Sequence, residues 1–318
     1  MTHLSDTMSQ PHAVPVCSIV IVSIHGEDSL SRCLESVNTV RRHDVAVPTD
    51  VYVVGHWFDR PPDRLRHRYA DVHWIPVHAP VPHMRLRGIL QTRGRIIVLL
   101  EDDCTCVPGW LHTIRQVLTG DTAVIGGTVQ PGPYRWPWEW AMYFYEYSPV
   151  MPIRASVHDF HLSGAHVAYH RTALMHLLRA SVPESTIVQK YGWYEFFVHS
   201  GLRRLGYHGR REPQLVVRHT HFRSYRIQLR AAFHHGRAFA GIRAEQMSMG
   251  QRILRTVLAG GLPVLRILRI ARRTRSNTRY LLRFVLALPW LVPLVLMWSI
   301  GEGLGFFLGP GRSLLQWR

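Results

Sequence analysis

The chain has 318 residues, 47% of them hydrophobic, with 38 basic side chains against 21 acidic ones and a formal charge of +17. That length holds one large or two ordinary domains, and the composition excludes both an intrinsically disordered chain and a polytopic membrane protein. Four cysteines at irregular spacing (Cys17, Cys33, Cys104, Cys106) form neither a disulfide framework nor a Cys-x-x-Cys zinc site.

Residues 1–15 form a polar tail without the apolar run of a secretory leader, and with the cysteine usage this points to a reducing cytoplasm. Ser18 to Val22 is a continuous apolar run, the pattern of a buried parallel strand. Asp28 to Val40 follows with a helical stripe of Leu30, Cys33, Leu34 and Val37. Val51 to Val54 reads as a second buried strand, and Arg95 to Leu100 as a third that ends abruptly in Glu101-Asp102-Asp103. Pro108-Gly109-Trp110 then opens another helix. Strand, helix, strand, crossover and strand predict an open α/β sheet, whose ligands lie beyond the carboxyl ends of its strands. Further on, Trp136, Trp138, Trp140, Tyr143 and Tyr145 read first as an aromatic core.

After residue 222 the character changes. Between Phe222 and Arg283 the only acid is Glu245, while arginine recurs every few residues. Phe222 to Arg243 predicts a basic amphipathic helix. Ile253 to Ile270 carries Arg255, Arg266 and Arg269, too many charges for a bilayer span, and is expected at an interface. Phe284 to Gly301 has no charge and is long enough to cross a bilayer core of roughly 30 Å. The arginines from Arg269 to Arg283 would stay on the cytoplasmic side and attract anionic lipid. The expected units are therefore 1–15 (tail), 16–221 (catalytic domain), 222–279 (basic interfacial helices) and 280–318 (apolar membrane segment). Because the charge concentrates in this tail and no nucleic-acid module is present, nucleic acid is not an expected partner.

The acidic triplet is the strongest local signal. Carboxylates crowded at a strand end repel one another unless a cation joins them, and hard oxygen ligands suit Mg²⁺ or Mn²⁺. On these residues the chain resembles a known family. Ser18 to Val37 and Arg93 to Trp110 (RGRIIVLLEDDCTCVPGW) are similar to the first strand–helix and the Asp-x-Asp segment of family 2 glycosyltransferases of the membrane-associated bacterial type. Leu162 to Arg171 resembles the family's small-residue stretch, Gly192 to Gly206 its base-bearing segment, and Pro213 to His219 its strand ending in histidine.

The resemblance implies a GT-A fold, an open mixed sheet flanked by helices and followed here by the amphipathic and hydrophobic C-terminal helices. It implies inverting transfer of a sugar from a nucleotide-diphosphate donor to a glycan or lipid-linked acceptor, at the cytoplasmic membrane face, in polysaccharide or cell-envelope assembly. It places the catalytic base on Glu195 and the divalent cation on Asp103, Glu101 and His219, with His221 as the weaker substitute. Nucleotide-sugar contacts fall on Ser23, His25, Glu101 and Asp102, and acceptor contacts on Gly164, His166, Trp193 and Tyr194. The sequence departs from the family at Val22-Ser23-Ile24-His25 and at Gly55-His56, where nucleobase contacts usually stand. Those departures motivate an alternative, a non-catalytic nucleotide-sugar-binding or glycan-binding scaffold.

Overall fold

The computed structural model describes residues 16–57, 61–119, 122–152, 155–220 and 224–316. The tail at 1–15, His221 and the junction expected at 221/222 lie outside the described residues. Among the described residues nine strands form one mixed sheet: β1 (Cys17–Ser23), β2 (Thr49–Gly55), β3 (Val72–Pro76), β4 (Ile96–Glu101), β5 (Cys104–Cys106), β6 (Thr122–Gln130), β7 (Val157–His158), β8 (His166–His170) and β9 (His208–His219). Their order is β3-β2-β1-β4-β8-β6-β9-β5, with β7 also on β9. The first four are parallel, and β8 enters antiparallel between β4 and β6.

Every residue of β1 is buried because helices cover both faces of the sheet. Alternation divides the core: Ile19, Ile21, Val53, Val98 and Leu100 face one layer, Val20, Val22, Val54, Ile97 and Leu99 the other. The first layer is built by α1 (Glu27–His43), α4 (Trp110–Val117) and α5 (Pro137–Tyr147); the second by α3 (Val81–Gln91), α6 (Arg171–Arg179), α7 (Pro183–Tyr191) and α8 (Glu195–Arg204), with α2 (Asp63–Arg68) leading into β3. Trp140, Tyr143 and Phe144 of α5 are buried as expected of core aromatics, whereas Trp136 is exposed.

The C-terminal region folds as α9 (Tyr225–Ala244), α10 (Met249–Ala259), α11 (Leu262–Thr274) and α12 (Thr278–Leu308). The apolar stretch Ile253 to Ile270 is thus two helices, broken at Gly260-Gly261 with Pro263 starting the second. Asn277 caps α12, its side chain accepting from the backbone N–H groups of Arg279 (3.1 Å) and Tyr280 (3.3 Å). Helix α12 crosses α9 at close range. A Cβ on Gly301 would stand 2.1 Å from the Phe233 carbonyl oxygen, and one on Gly236 2.3 Å from that of Trp298, so only glycine admits this approach. Its N-terminal half packs on α5, with the Phe144 and Phe284 rings edge to face at 5.9 Å.

With 31 residues and a mean hydropathy of 2.0 over its most apolar stretch, α12 is the one described helix long and apolar enough to cross a membrane. It is longer than Phe284 to Gly301, and Phe284, Ala287, Leu291, Leu294 and Val295 are buried inside the protein. The opposite side, with Leu282, Val285, Leu296, Ile300 and Leu308, is exposed.

Candidate active site

β4 delivers Glu101 at its carboxyl end, and the chain turns through Asp102 and Asp103 into β5. That three-residue strand pairs with β9 in the register Cys104↔His219, which fixes His219 beside Asp103. The turn is pinned by Thr220, whose backbone N–H (2.8 Å) and hydroxyl (2.7 Å) both donate to the Asp103 carbonyl.

Asp102 is wholly buried. One carboxylate oxygen accepts from the backbone N–H groups of Ile24 (2.9 Å) and His25 (3.0 Å), and the other lies 2.5 Å from His25 Nδ1. It therefore anchors the β1–α1 loop and orients the imidazole. The far side of that ring, Nε2, comes within 3.4 Å of Asp103 Oδ2. His219 Nε2 is 3.0 Å from the same oxygen, and His219 Nδ1 lies 2.6 Å from the Tyr134 hydroxyl. Burial alone would raise the Asp103 carboxyl, but His219 and His25 outweigh it and hold it well below the ordinary carboxylate range.

Three potential ligand atoms, from His25, Asp102 and Asp103, fall within 4.8 Å of one another, as do three from Glu101, Asp103 and Cys104. The Cys104 thiol is pushed up by burial and by the neighbouring acids, and it donates to Asp103 Oδ1 at 3.6 Å. A protonated thiol is a poor ligand, so the usable donors are carboxylate oxygens and imidazole nitrogen, which suit Mn²⁺ or Mg²⁺. By that chemistry the residues fit a single hard divalent cation around Asp103.

Glu101 turns the other way. Arg85 Nη2 donates to Glu101 Oε1 at 2.7 Å, and Arg85 Nη1 donates to Glu195 Oε1 in a short contact. The guanidinium is buried, while the two carboxylates each keep about a quarter of their surface exposed. The Tyr147 hydroxyl donates to the other Glu101 oxygen at 3.3 Å. Burial raises the Glu101 carboxyl, opposed by Arg85 and reinforced by Asp103. For Arg85, the two carboxylates overcome the desolvation that would lower it.

Glu195 stands at the first position of α8, and the preceding loop is tied to α3 by the Trp193 N–H donating to the Pro82 carbonyl at 2.7 Å. That bond sets Arg85, one turn into α3, against Glu195. Gly164 closes the arrangement: a Cβ there would lie 1.6 Å from Glu195 Oε1 and 2.9 Å from Arg85 Nη2. The Glu101 N–H donates to the Ala165 carbonyl (3.0 Å), holding this segment beside the end of β4. Asp103, His219, Glu101, Glu195 and Gly164 thus belong to one contiguous cluster, with His25 and Asp102 on its β1 side. Ser23, at the end of β1, is buried.

His166, Trp193 and Tyr194 stand apart from the open side. All three are buried; Trp193 packs edge-on against Tyr169 at 5.3 Å, and burial pushes the His166 imidazole down to about 3. Trp193 and Tyr194 pack the second layer, whereas His166 lies on the other face of β8, the face that carries Ala168. Arg85 was not anticipated. Its only sequence signal is a cation on the apolar stripe of α3, among Val81, Met84, Gly88 and Ile89. A further carboxylate, Glu146 of α5, is pushed up to about 7 by burial and by Glu101 and Asp103 against the opposing pull of His219, and is joined to Gln228 of α9.

The described part of the chain superposes on the mannosyltransferase PcManGT from Pyrobaculum calidifontis, solved with GDP-Man and Mn²⁺, over 93% of this chain and 89% of that one, with a TM-score of 0.52 and 13% identity. This chain has a GT-A-type fold. No family model matches it. Among curated proteins it is 24% identical to the glucosyl-dolichyl phosphate glucuronosyltransferase of Haloferax volcanii over 126 residues, 37% of this chain. The matched part spans only 38% of that relative's length.

Proposed function

We propose that this protein is an inverting, divalent-cation-dependent glycosyltransferase that uses a nucleotide-diphosphate sugar. The observation that carries the reading is the single cluster in which Asp103 and His219 stand at one end and Glu195 at the other, joined through Glu101 and Arg85. Both similar proteins bear transferase names, one solved with GDP-Man and Mn²⁺ and the other named for a dolichyl phosphate glycoside, in keeping with such a donor and a lipid-linked acceptor.

Asp103, His219 and His25 would hold the cation, which when bound neutralises charge on the diphosphate as it departs. Tyr134 fixes the His219 ring and Asp102 fixes that of His25, so both imidazoles present Nε2 to one point. Glu195 takes the proton of the acceptor hydroxyl as its oxygen bonds to the anomeric carbon; the bond from that carbon to the diphosphate breaks, with inversion. Arg85 aims the Glu195 carboxylate, and Gly164 leaves room for it.

The catalytic unit is taken as 16–221. The exposed apolar sides of α10, α11 and α12, flanked by Arg269, Arg272, Arg275 and Arg279, would seat it on an anionic membrane at the cytoplasmic face. Purified protein screened with Mn²⁺ against a panel of nucleotide sugars should release nucleotide diphosphate from one of them. Asp103→Asn and Glu195→Gln should each lower transfer by about 10²-fold or more, with donor binding kept in the second. Donor binding by the parent protein without any transfer, across the panel and with membrane extracts as acceptor, would reject the enzyme in favour of a binding scaffold.

A further inference from the structure

A cavity of about 600 Å³ opens between α8 and α10, away from the carboxylate cluster. Its lining divides by chemistry. Phe196, Leu254 and Leu258 face it while remaining about half exposed, and Ile187 forms part of its floor. Large apolar side chains left open around a concavity mark a site for an apolar occupant. The same lining carries two cations, Arg243 and Arg255.

Arg243 is held rigidly, its guanidinium lying over the Phe196, Phe239 and Phe306 rings at 5.1 to 5.7 Å and 3.7 Å from Glu302. Arg255 has no ion-pair partner among the described residues, and it repels Arg243, adding to the burial that already disfavours the charge on that guanidinium. The lining carboxylate Glu184 is already engaged by Arg204 at 3.1 Å. With Glu302 beside Arg243 and Glu184 taken up by Arg204, Arg255 brings a further cation to the groove, and the two guanidiniums there suit an anionic group such as a phosphate.

We propose that this groove binds a lipid with a phosphate monoester head, the phosphate between Arg243 and Arg255 and the hydrocarbon chain along Phe196, Leu254 and Leu258. The exposed Ile253 and Val257 continue the apolar surface outward along α10, giving a long chain a path from the groove to a membrane. Phe196 directly follows Glu195 on α8, so the groove and the carboxylate assigned as base share the first turn of one helix. Placing the groove on the acceptor side rests on the transfer reading above; the binding itself does not.

Calorimetry on the full chain, with dodecyl phosphate kept below its micelle concentration, tests the assignment. Saturable binding is expected, weakened about tenfold or more by Arg255→Gln or Leu254→Asp and unchanged by Val264→Asp, an exposed position on α11 outside the groove. Equal affinity for inorganic phosphate would overturn the proposal in favour of a free-anion site, and equal affinity for dodecanol would overturn it in favour of an uncharged ligand. Equal weakening by Val264→Asp would reduce the effect to general apolar adsorption and also overturn it. All three positions are exposed, so thermal unfolding should match the parent. Donor turnover by the parent protein separates the two ideas: lipid binding without turnover sinks the transferase alone, and turnover without lipid binding sinks the groove alone.

Discussion

Around the end of β4, Arg85 stands between Glu101 and Glu195, and Asp103 between His219 and His25, each group shielded from water on at least one side. In α11 and α12 the pattern is reversed: Arg272, Arg275 and Arg279 lie exposed, while Leu265, Leu268, Leu282 and Leu286 face outward beside them. Charge in the first region is a structural commitment, because a buried ion deprived of its partner is expensive. Charge in the second is cheap to change in water and gains its value only against an anionic surface.

The sharpest way to break this contrast is Arg85→Met. It leaves Glu101 and Glu195 partly buried and facing one another, so denaturant unfolding should show a loss of about 3–5 kcal/mol, with partial recovery in Arg85→Lys. A loss under 1 kcal/mol would mean that the cluster is hydrated and the contrast false. Gly164→Ala comes next. The added methyl displaces the Glu195 carboxylate rather than backbone, so transfer should fall about 10–100-fold while thermal stability changes little.

A smaller effect follows from acidification. His166 and His199 are buried, and burial lowers their imidazoles to about 3 and about 4. Since the folded values lie below the unfolded one, the unfolded chain binds more protons between pH 6.5 and 4, and stability must fall as pH drops through that window. A melting temperature flat from pH 7 to 4 would contradict it. The least change is expected from Arg272→Gln, which should shift unfolding by no more than about 0.5 kcal/mol while weakening adsorption to vesicles of anionic lipid.

The parallel half of the sheet was legible because its strands are buried on both faces and so read as unbroken apolar runs, Ser18 to Val22 and Val51 to Val54 among them. The triplet after β4 stood out for the opposite reason, three acids in a chain poor in them. Arg85 was faint: beside Arg87 and Arg93 it is one more arginine, and only its place on the buried stripe of α3, with Met84, Gly88 and Ile89, sets it apart. His166, Trp193 and Tyr194 show the converse limit. An aromatic beside a site-bearing segment can face the cleft or the core, and the packing of Trp193 against Tyr169 decides for the core. Glycine told most at Gly260-Gly261, where it splits what composition alone presents as one apolar stretch.

The strand β5, three residues long, has a consequence for synthesis. Because it pairs with β9, the histidine that faces Asp103 is supplied 116 residues later in the chain. A nascent chain can assemble the parallel strands β1, β2 and β4 early, yet its half-built cation site stays open until the last strand has left the ribosome. Loop closure over that separation belongs among the late and slow events of folding, so manganese added during refolding should speed only the final phase.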